Sequence, residues 1–276
     1  MSVFQAMRGL ANVPWFFPFA EMRPLGAPVG ATATASATPH TKGAWAQLVA
    51  STSEEVALVV VRAVSVGTAA TETSMLIDIG VGASGSEAAI MENLAIGGAS
   101  AGNANEFLMF MLPVRIAAGI RISCRVQALI ASDTCSVTMG LSSVRARQTL
   151  PTSVDVIGTS TADSRGTAFA GSLGDWTQIT ASTAQRYRAI WLVPSVIGTD
   201  IISTNTNMEI AVGAAGSEVE IGRVFCTYAN SEIVGHSTRM LNVPIACDIP
   251  AGSRLSVKTP VSANPERYGV CLIGIP

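Results

Sequence analysis

The sequence predicts an all-β protein. It predicts two tandem jelly-roll-like β-sandwich domains that arose by internal duplication, preceded by an extended N-terminal arm. Three observations carry this. First, the chain repeats itself at a constant spacing. Trp45-Ala-Gln-Leu-Val-Ala-Ser-Thr52 returns as Trp176-Thr-Gln-Ile-Thr-Ala-Ser-Thr183, and Gly80-Val-Gly-Ala-Ser-Gly-Ser-Glu87 returns as Ala211-Val-Gly-Ala-Ala-Gly-Ser-Glu218. Leu112-Pro-Val returns as Val243-Pro-Ile, again 131 residues on. Ala118-Gly-Ile-Arg-Ile-Ser123 returns as Ala251-Gly-Ser-Arg-Leu-Ser256 at a spacing of 133, so a two-residue insertion lies near Cys247-Asp248. Second, each copy is cut into short β-branched runs by turn residues, at the spacing of a sandwich. Third, 49% of residues are hydrophobic, but only 5% are aromatic and 13% charged. That balance excludes a disordered chain, which needs high charge and few apolar residues.

The repeat sets the domain limits: an arm over 1–42, a first module over 43–141, a connector over 142–174 and a second module over 175–276. Modules of about 100 residues are large enough for cores of their own and too long for solenoid units.

The arm opens on an aromatic knot, Val13-Pro-Trp-Phe-Phe-Pro-Phe19, which holds three of the eight Phe residues of the chain. A small-residue, proline-flanked run over 27–41 follows and is expected to be extended. Trp15, Phe16, Phe17 and Phe19 thus form an apolar payload on a tether. Two readings are open: the knot packs on its own first module, or it anchors the chain to another subunit. Burying these side chains would contribute about 1.5–3 kcal/mol each.

Within the first module, Val56-Ala-Leu-Val-Val-Val-Arg-Ala-Val64 reads as a core strand. Met75-Leu-Ile-Asp-Ile-Gly-Val81 and the run 87–94 read as a hairpin about the Ala83-Ser-Gly-Ser turn. Phe107–Leu112 is a strand closed by Pro113. The run 120–128 alternates with period two, and 136–141 closes the module. The second module repeats the order over 188–193, 207–212, 218–225, 239–243, 254–258 and 268–273. The connector is rich in Ser, Thr, Ala and Gly, with one short strand expected at Val154-Asp-Val-Ile157.

Chemical motifs are weak. The Gly-Ala-Ser-Gly-Ser-Glu loop lacks the lysine and the following helix of a phosphate-binding loop. Its glycines, Gly85 and Gly216, are expected at positive φ. Its acids, Glu87 and Glu218, are candidate contacts to loop amides or to a neighbouring chain. The chain has two histidines, His40 in the arm and His236 in a loop, too few for a Ser/His/Asp constellation or a zinc centre. Asp78 and Glu87, matched by Glu209 and Glu218, are paired carboxylates in principle, but a carboxylate beside a hairpin turn is expected to face solvent. Trp45 and Trp176 open their modules, either capping a core or stacking on a sugar. Arg121 and Arg254 suit structural or interface ion pairs. No catalytic, cofactor or metal residue is therefore expected, and the chain is read as non-enzymatic.

A net charge of −2 offers no nucleic-acid footprint. No apolar run approaches the 18 or so residues of a membrane helix, and the start lacks a signal-peptide pattern. Cys124, Cys135, Cys226, Cys247 and Cys271 match no zinc spacing and do not recur between copies. They read as free core thiols from a reducing cytosol, the alternative being intermolecular disulfides.

The pattern Trp…Gln…Ala-Ser-Thr, then Ile-Asp-Ile-Gly-Val-Gly-Ala-x-Gly-Ser-Glu, then Pro-Val-Arg-Ile-x-Ala-Gly-x-Arg-Ile, resembles a group of all-β virion proteins of tailed bacteriophages. The resemblance covers both modules, omits the arm and connector, and breaks at Ala246-Cys-Asp in the second copy. It implies a structural protein located in the virion and assembled in the bacterial host cytoplasm. Such a protein would form a homo-oligomer with other virion proteins as partners. A tail-associated part (fibre, collar or baseplate) is the first expectation and a capsid decoration protein the second. A pair of modules binding a host surface glycan is the reading from a different class.

Overall fold

The computed structural model describes residues 22–65, 74–96, 107–144, 150–169, 174–196, 204–228, 239–240, 244–258 and 268–276. These residues form strands and turns, with no helix among them. In the first sandwich the strands are β1 (Met22–Pro24), β2 (Val29–Thr34), β3 (Ala46–Val49), β4 (Leu58–Ser65), β5 (Met75–Val81), β6 (Ala88–Ile96), β7 (Phe107–Leu112), β8 (Ile122–Ala128) and β9 (Thr134–Val144). One sheet runs β2-β9-β4-β7, with β1 on the far end of β9, and the other runs β3-β8-β5-β6. All pairings are antiparallel. Counted from β2, the first sheet holds strands one, eight, three and six, and the second holds two, seven, four and five. That is the strand order of a jelly roll.

The second sandwich holds β10 (Asp155–Ile157), β11 (Thr159–Ser160), β12 (Arg165–Ala168), β13 (Thr177–Thr180), β14 (Tyr187–Val196), β15 (Thr204–Val212), β16 (Val219–Tyr228), β17 (Arg239–Met240), β18 (Ile245–Ile249), β19 (Leu255–Lys258) and β20 (Tyr268–Ile275). Its sheets run β12-β20-β14-β18 and β13-β19-β15-β16, with β10, β11 and β17 added at the margins. Counted from β12, this is the same jelly-roll order. The two-residue insertion falls in β18, which makes a bulged pairing with β14. The corresponding stretch of the first copy makes a single bridge, Val56 to Ile116.

Two expected boundaries need correction. Residues 22–34 are not a free arm. Their strands β1 and β2 pair with β9, and β2 matches it residue by residue from Val29–Met139 to Thr34–Thr134. The small side chains of this run suit an edge strand: Ala33 is fully buried, while Gly30, Thr32 and Thr34 face outward. Nor is 142–174 a bare connector. Here β10 and β12 pair with β20 and supply part of the second sandwich, and β9 itself continues to Val144. The aromatic knot, with Trp15, Phe16, Phe17 and Phe19, lies outside the described residues, as does His236.

Alternation builds each core. In β4, Val59, Val61 and Ala63 point inward at 0–1% exposure, opposite Ile77, Ile79, Cys124 and Val126 of the other sheet. In β14 and β20 both faces are buried. Ile190, Leu192, Val270 and Leu272 enter the core of the second sandwich. Ala189, Trp191, Val193, Cys271, Ile273 and Ile275 belong instead to the apolar cluster of the first. They reach it across β6, which touches β10, β11, β12, β14 and β20. A sheet buried on both faces needs near-continuous apolar runs, and Ala-Ile-Trp-Leu-Val and Val-Cys-Leu-Ile-Gly-Ile provide them. The matched outward positions of the first sandwich are mixed: Leu58 and Val60 with Gly140, then Arg62, Thr138 and Ser142.

Polar contacts seal the junction. The Val154 N–H donates to the Ile90 carbonyl at 2.9 Å. Gln127 Nε2 donates to the Thr161 carbonyl at 2.7 Å and to Ser164 Oγ at 3.1 Å. His40 Nδ1 lies 3.0 Å from the same hydroxyl. The two sandwiches therefore share one apolar cluster and are held as a unit.

Candidate functional site

The repeat loops carry the most closely matched geometry. Between β5 and β6, Gly82 and Gly85 take φ of 122° and 83°, which a side chain would resist. The turn closes with the Ser86 N–H on the Ala83 carbonyl at 3.0 Å. Glu87 then folds inward: its Oε2 accepts the Gly85 N–H at 2.9 Å, and its Oε1 accepts from Arg121 at 2.5 Å. Arg121 also donates to Gln47 Oε1 at 3.0 Å, so the loop is tied to β8 and to edge strand β3. In the second copy, Arg254 donates to Glu218 Oε1 at 2.9 Å and to Gln178 Oε1 at 2.8 Å. Gly213 and Gly216 stand at 127° and 80°. The Glu87 and Glu218 side chains are 1% and 6% exposed. They are turned into their own modules, where their ion pairs fix the loops.

Burial pushes the Glu87 carboxyl up, but Arg121 and the loop amides outweigh it and hold the pKa below the usual 4.5. Burial likewise raises Glu218, and its backbone hydrogen bonds and Arg254 bring it below that value. A carboxyl depressed on folding stabilises the native state above its unfolded pKa, and this is lost as pH falls through the folded pKa. Both loops are expected to loosen together below about pH 4.5. Double substitution Glu87→Gln and Glu218→Gln should flatten the acid limb of a stability-versus-pH curve. An unchanged acid limb in the variant would contradict this assignment.

A second matched layer lies on the outer face of the β3-β8-β5-β6 sheet. The Trp45 ring covers Gly80, where an added Cβ would come within 2.6 Å of it, and the Arg125 guanidinium lies 4.3 Å from the ring centre. In the second copy Lys258 lies 4.5 Å from the Trp176 ring centre. Both indoles are half-buried on an outer sheet face under a cation. They therefore do not cap a core, and the cation occupies the ring against which a sugar would stack. Asp78 corrects another expectation: its side chain is 2% exposed and does not face solvent. It accepts from Arg125 Nε, Lys42 Nζ and the Asn93 N–H, each at 2.7 Å. Asn93 stands at a φ of 62° in a bulged stretch of β6 that presents this N–H. Glu209 takes the place of Asp78 in the second copy and pairs with Lys258 at 2.6 Å. Asp78 and Glu87 thus serve separate ion pairs and do not act as a carboxylate pair.

Thr52 and Thr183, the last residues of the first repeat motif, brace a turn in each module. Thr52 Oγ1 donates to the Ala117 carbonyl at 2.7 Å and accepts the Ile120 N–H at 3.1 Å. Thr183 makes the same bonds to Pro250 and Ser253, at 2.9 and 3.0 Å. Their recurrence at one spacing was the signal available.

The junction also forms a cleft of about 410 Å³, walled by β6, β10 and the 180–187 stretch. On its wall Asp155 Oδ2 accepts from the Tyr187 hydroxyl at 2.5 Å and from Gln185 Nε2 at 2.8 Å. Burial and this hydrogen bond push the Tyr187 phenol up, so it stays protonated. Nothing local in the sequence marks Asp155 or Tyr187, because one lies in the connector and the other in the second module, and only the fold brings them together.

Cys124, Cys135 and Cys271 are buried thiols that desolvation pushes up to about 12. Cys247 is half-buried and is raised to about 12 as well. Among the described residues no group of three or more His, Cys, Asp or Glu side chains is placed to hold a metal ion.

No protein-family model matches the chain, and no curated protein matches it. Among solved structures the chain is similar to the N-terminal CBM22-1–CBM22-2 tandem domain of Paenibacillus barcinonensis Xyn10C. That alignment has 8% identity and a TM-score of 0.25, and covers 93% of this chain and 94% of that one. A likeness at this level carries no argument about function.

Proposed function

We propose that the protein is a non-enzymatic structural part of a tailed-bacteriophage virion, built into a symmetric multi-subunit assembly. The observation that carries this reading is the fusion of two jelly rolls through a sheet buried on both faces, from Ala189 and Trp191 to Ile273 and Ile275. Such a fusion suits a rigid building block with fixed spacing between its outer surfaces. The inward-turned Glu87 and Glu218 add to it, since they hold loops in shape and leave no acid free there for chemistry. A tail-associated position is preferred over capsid decoration, with the aromatic knot around Trp15, Phe16, Phe17 and Phe19 as anchor to a neighbouring subunit.

The fold dictates the truncation that tests the anchor. Removing residues 1–42 also removes β1 and β2 and strips one flank of β9, so the first sandwich should not fold. Removing 1–21 leaves every described strand in place. That shorter deletion is expected to give a folded protein that no longer enters particles. Normal incorporation of the 1–21 deletion would reject the anchor.

A second reading, recognition of a surface glycan by the same chain, is favoured by one feature: the polar cleft at the junction.

A further inference from the structure

We infer that the cleft between the two sandwiches is a carbohydrate site, taking a neutral sugar unit through hydroxyl donors to Asp155. The inference rests on the glycan-binding reading and gives it a location. A volume of about 410 Å³ lies within the usual range for small-ligand clefts, which favour domain junctions. Its walls are fixed before any ligand arrives. β6 belongs to the first sandwich and β10 to the second, and the Val154–Ile90 backbone bond ties them together. A site that need not reorganise avoids part of the cost of binding.

The chemistry of the walls selects the ligand. Asp155 is half-buried, and both of its described hydrogen bonds fall on Oδ2, from neutral donors. Among the described residues no cationic side chain pairs with it. Tyr187 and Gln185 hold the carboxylate in one orientation, leaving it acceptor capacity that a hydroxyl donor satisfies well. Glu92, on the opposite wall, is paired with Lys42 at 2.5 Å and lies 3.8 Å from Arg125, so cations neutralise it. The Asp155 carboxylate therefore sets the charge of the space: it disfavours an anionic ligand, whereas a polyol donates to it. Ser153 and Ser182 add hydroxyls to the lining, and exposed Ala89 and Ala184 give small apolar ground for the C–H face of a sugar ring. The half-exposed indoles, each under its own cation, are not needed for this contact.

Saturation-transfer NMR on the full chain tests the site, with glucose, galactose, mannose and N-acetylglucosamine as separate probes at millimolar concentration. Transfer to at least one of them is expected. Ala184→Trp, at an exposed position, should fill the cleft and abolish the transfer while the melting temperature holds. Asp155→Asn should weaken binding by about tenfold, the scale of one charge-assisted hydrogen bond. No transfer from any of the four sugars, or transfer unchanged by Ala184→Trp, would overturn the inference. Particle incorporation of Ala184→Trp separates this from the assembly reading. Normal incorporation with sugar binding absent even in the parent chain removes the carbohydrate site alone.

Discussion

Trp191→Ala is expected to destabilise the protein by about 3–5 kcal/mol, the cost of emptying a large buried aromatic site. Trp191 is 4% exposed and stands where the second sandwich packs on the first. Its pair partner across the sheet, Ile273, belongs to the same cluster, so truncation opens a hole with little able to collapse into it. Trp191→Phe makes the opposite case. The Trp191 Nε1 is buried with no hydrogen-bond partner. Phenylalanine removes that unsatisfied donor while keeping most of the apolar volume, so a change within about 1.5 kcal/mol is expected. Urea unfolding of the two variants against the parent measures both. Equal losses for Ala and Phe would mean that the indole nitrogen matters and that the junction is not the apolar seam described.

Asp78→Ala is the second large effect, about 3 kcal/mol. The substitution leaves Lys42 and Arg125 with only the exposed Glu92 carboxylate, 2.5 and 3.8 Å away, and orphans the Asn93 N–H in its bulge. The figure sits at the low end for a broken buried ion pair because the two cations remain 23% and 24% exposed, where water screens them. Asp78→Glu should be milder, since the second copy holds Glu209 at this position against Lys258. Differential scanning calorimetry of Asp78→Ala and Asp78→Glu ranks them. A rank reversal would show that geometry around the bulge, rather than charge, decides.

Much of this fold is legible in the sequence, for a physical reason. Strands such as Met75–Val81 and Phe107–Leu112 announce themselves by β-branched and apolar runs that end at glycine or proline. The repeat locates the Arg–Glu loops, because the same residues return at the same spacing. What escapes is whatever depends on pairing rather than pattern. Val29–Thr34 is all small residues and reads as a tether, yet the flank of β9 turns it into a strand. Val154-Asp-Val-Ile157 reads as a short strand, but its membership of the second sandwich depends on β20, more than a hundred residues away. Asp78 reads as a solvent-facing acid because nothing local reveals that Lys42 and Arg125 converge on it. Trp45 and Trp176 leave core capping and sugar stacking both open for the same reason: the cation over each ring comes from the distant strand β8 or β19. The junction was written in the differences between copies. Val193, Cys271 and Ile275 stand where the first copy has Arg62, Thr138 and Ser142, although Leu58 and Val60 match Ala189 and Trp191 and are apolar in both copies.

The most direct test of the central claim is cryo-electron microscopy of virions from the source of this chain, searched for the rigid pair of jelly rolls. The account predicts symmetric copies of the pair at the neck, fibre or baseplate, each with the segment before β1 buried in a neighbouring subunit. Protein absent from purified particles, and monomeric in solution at every concentration, would contradict it.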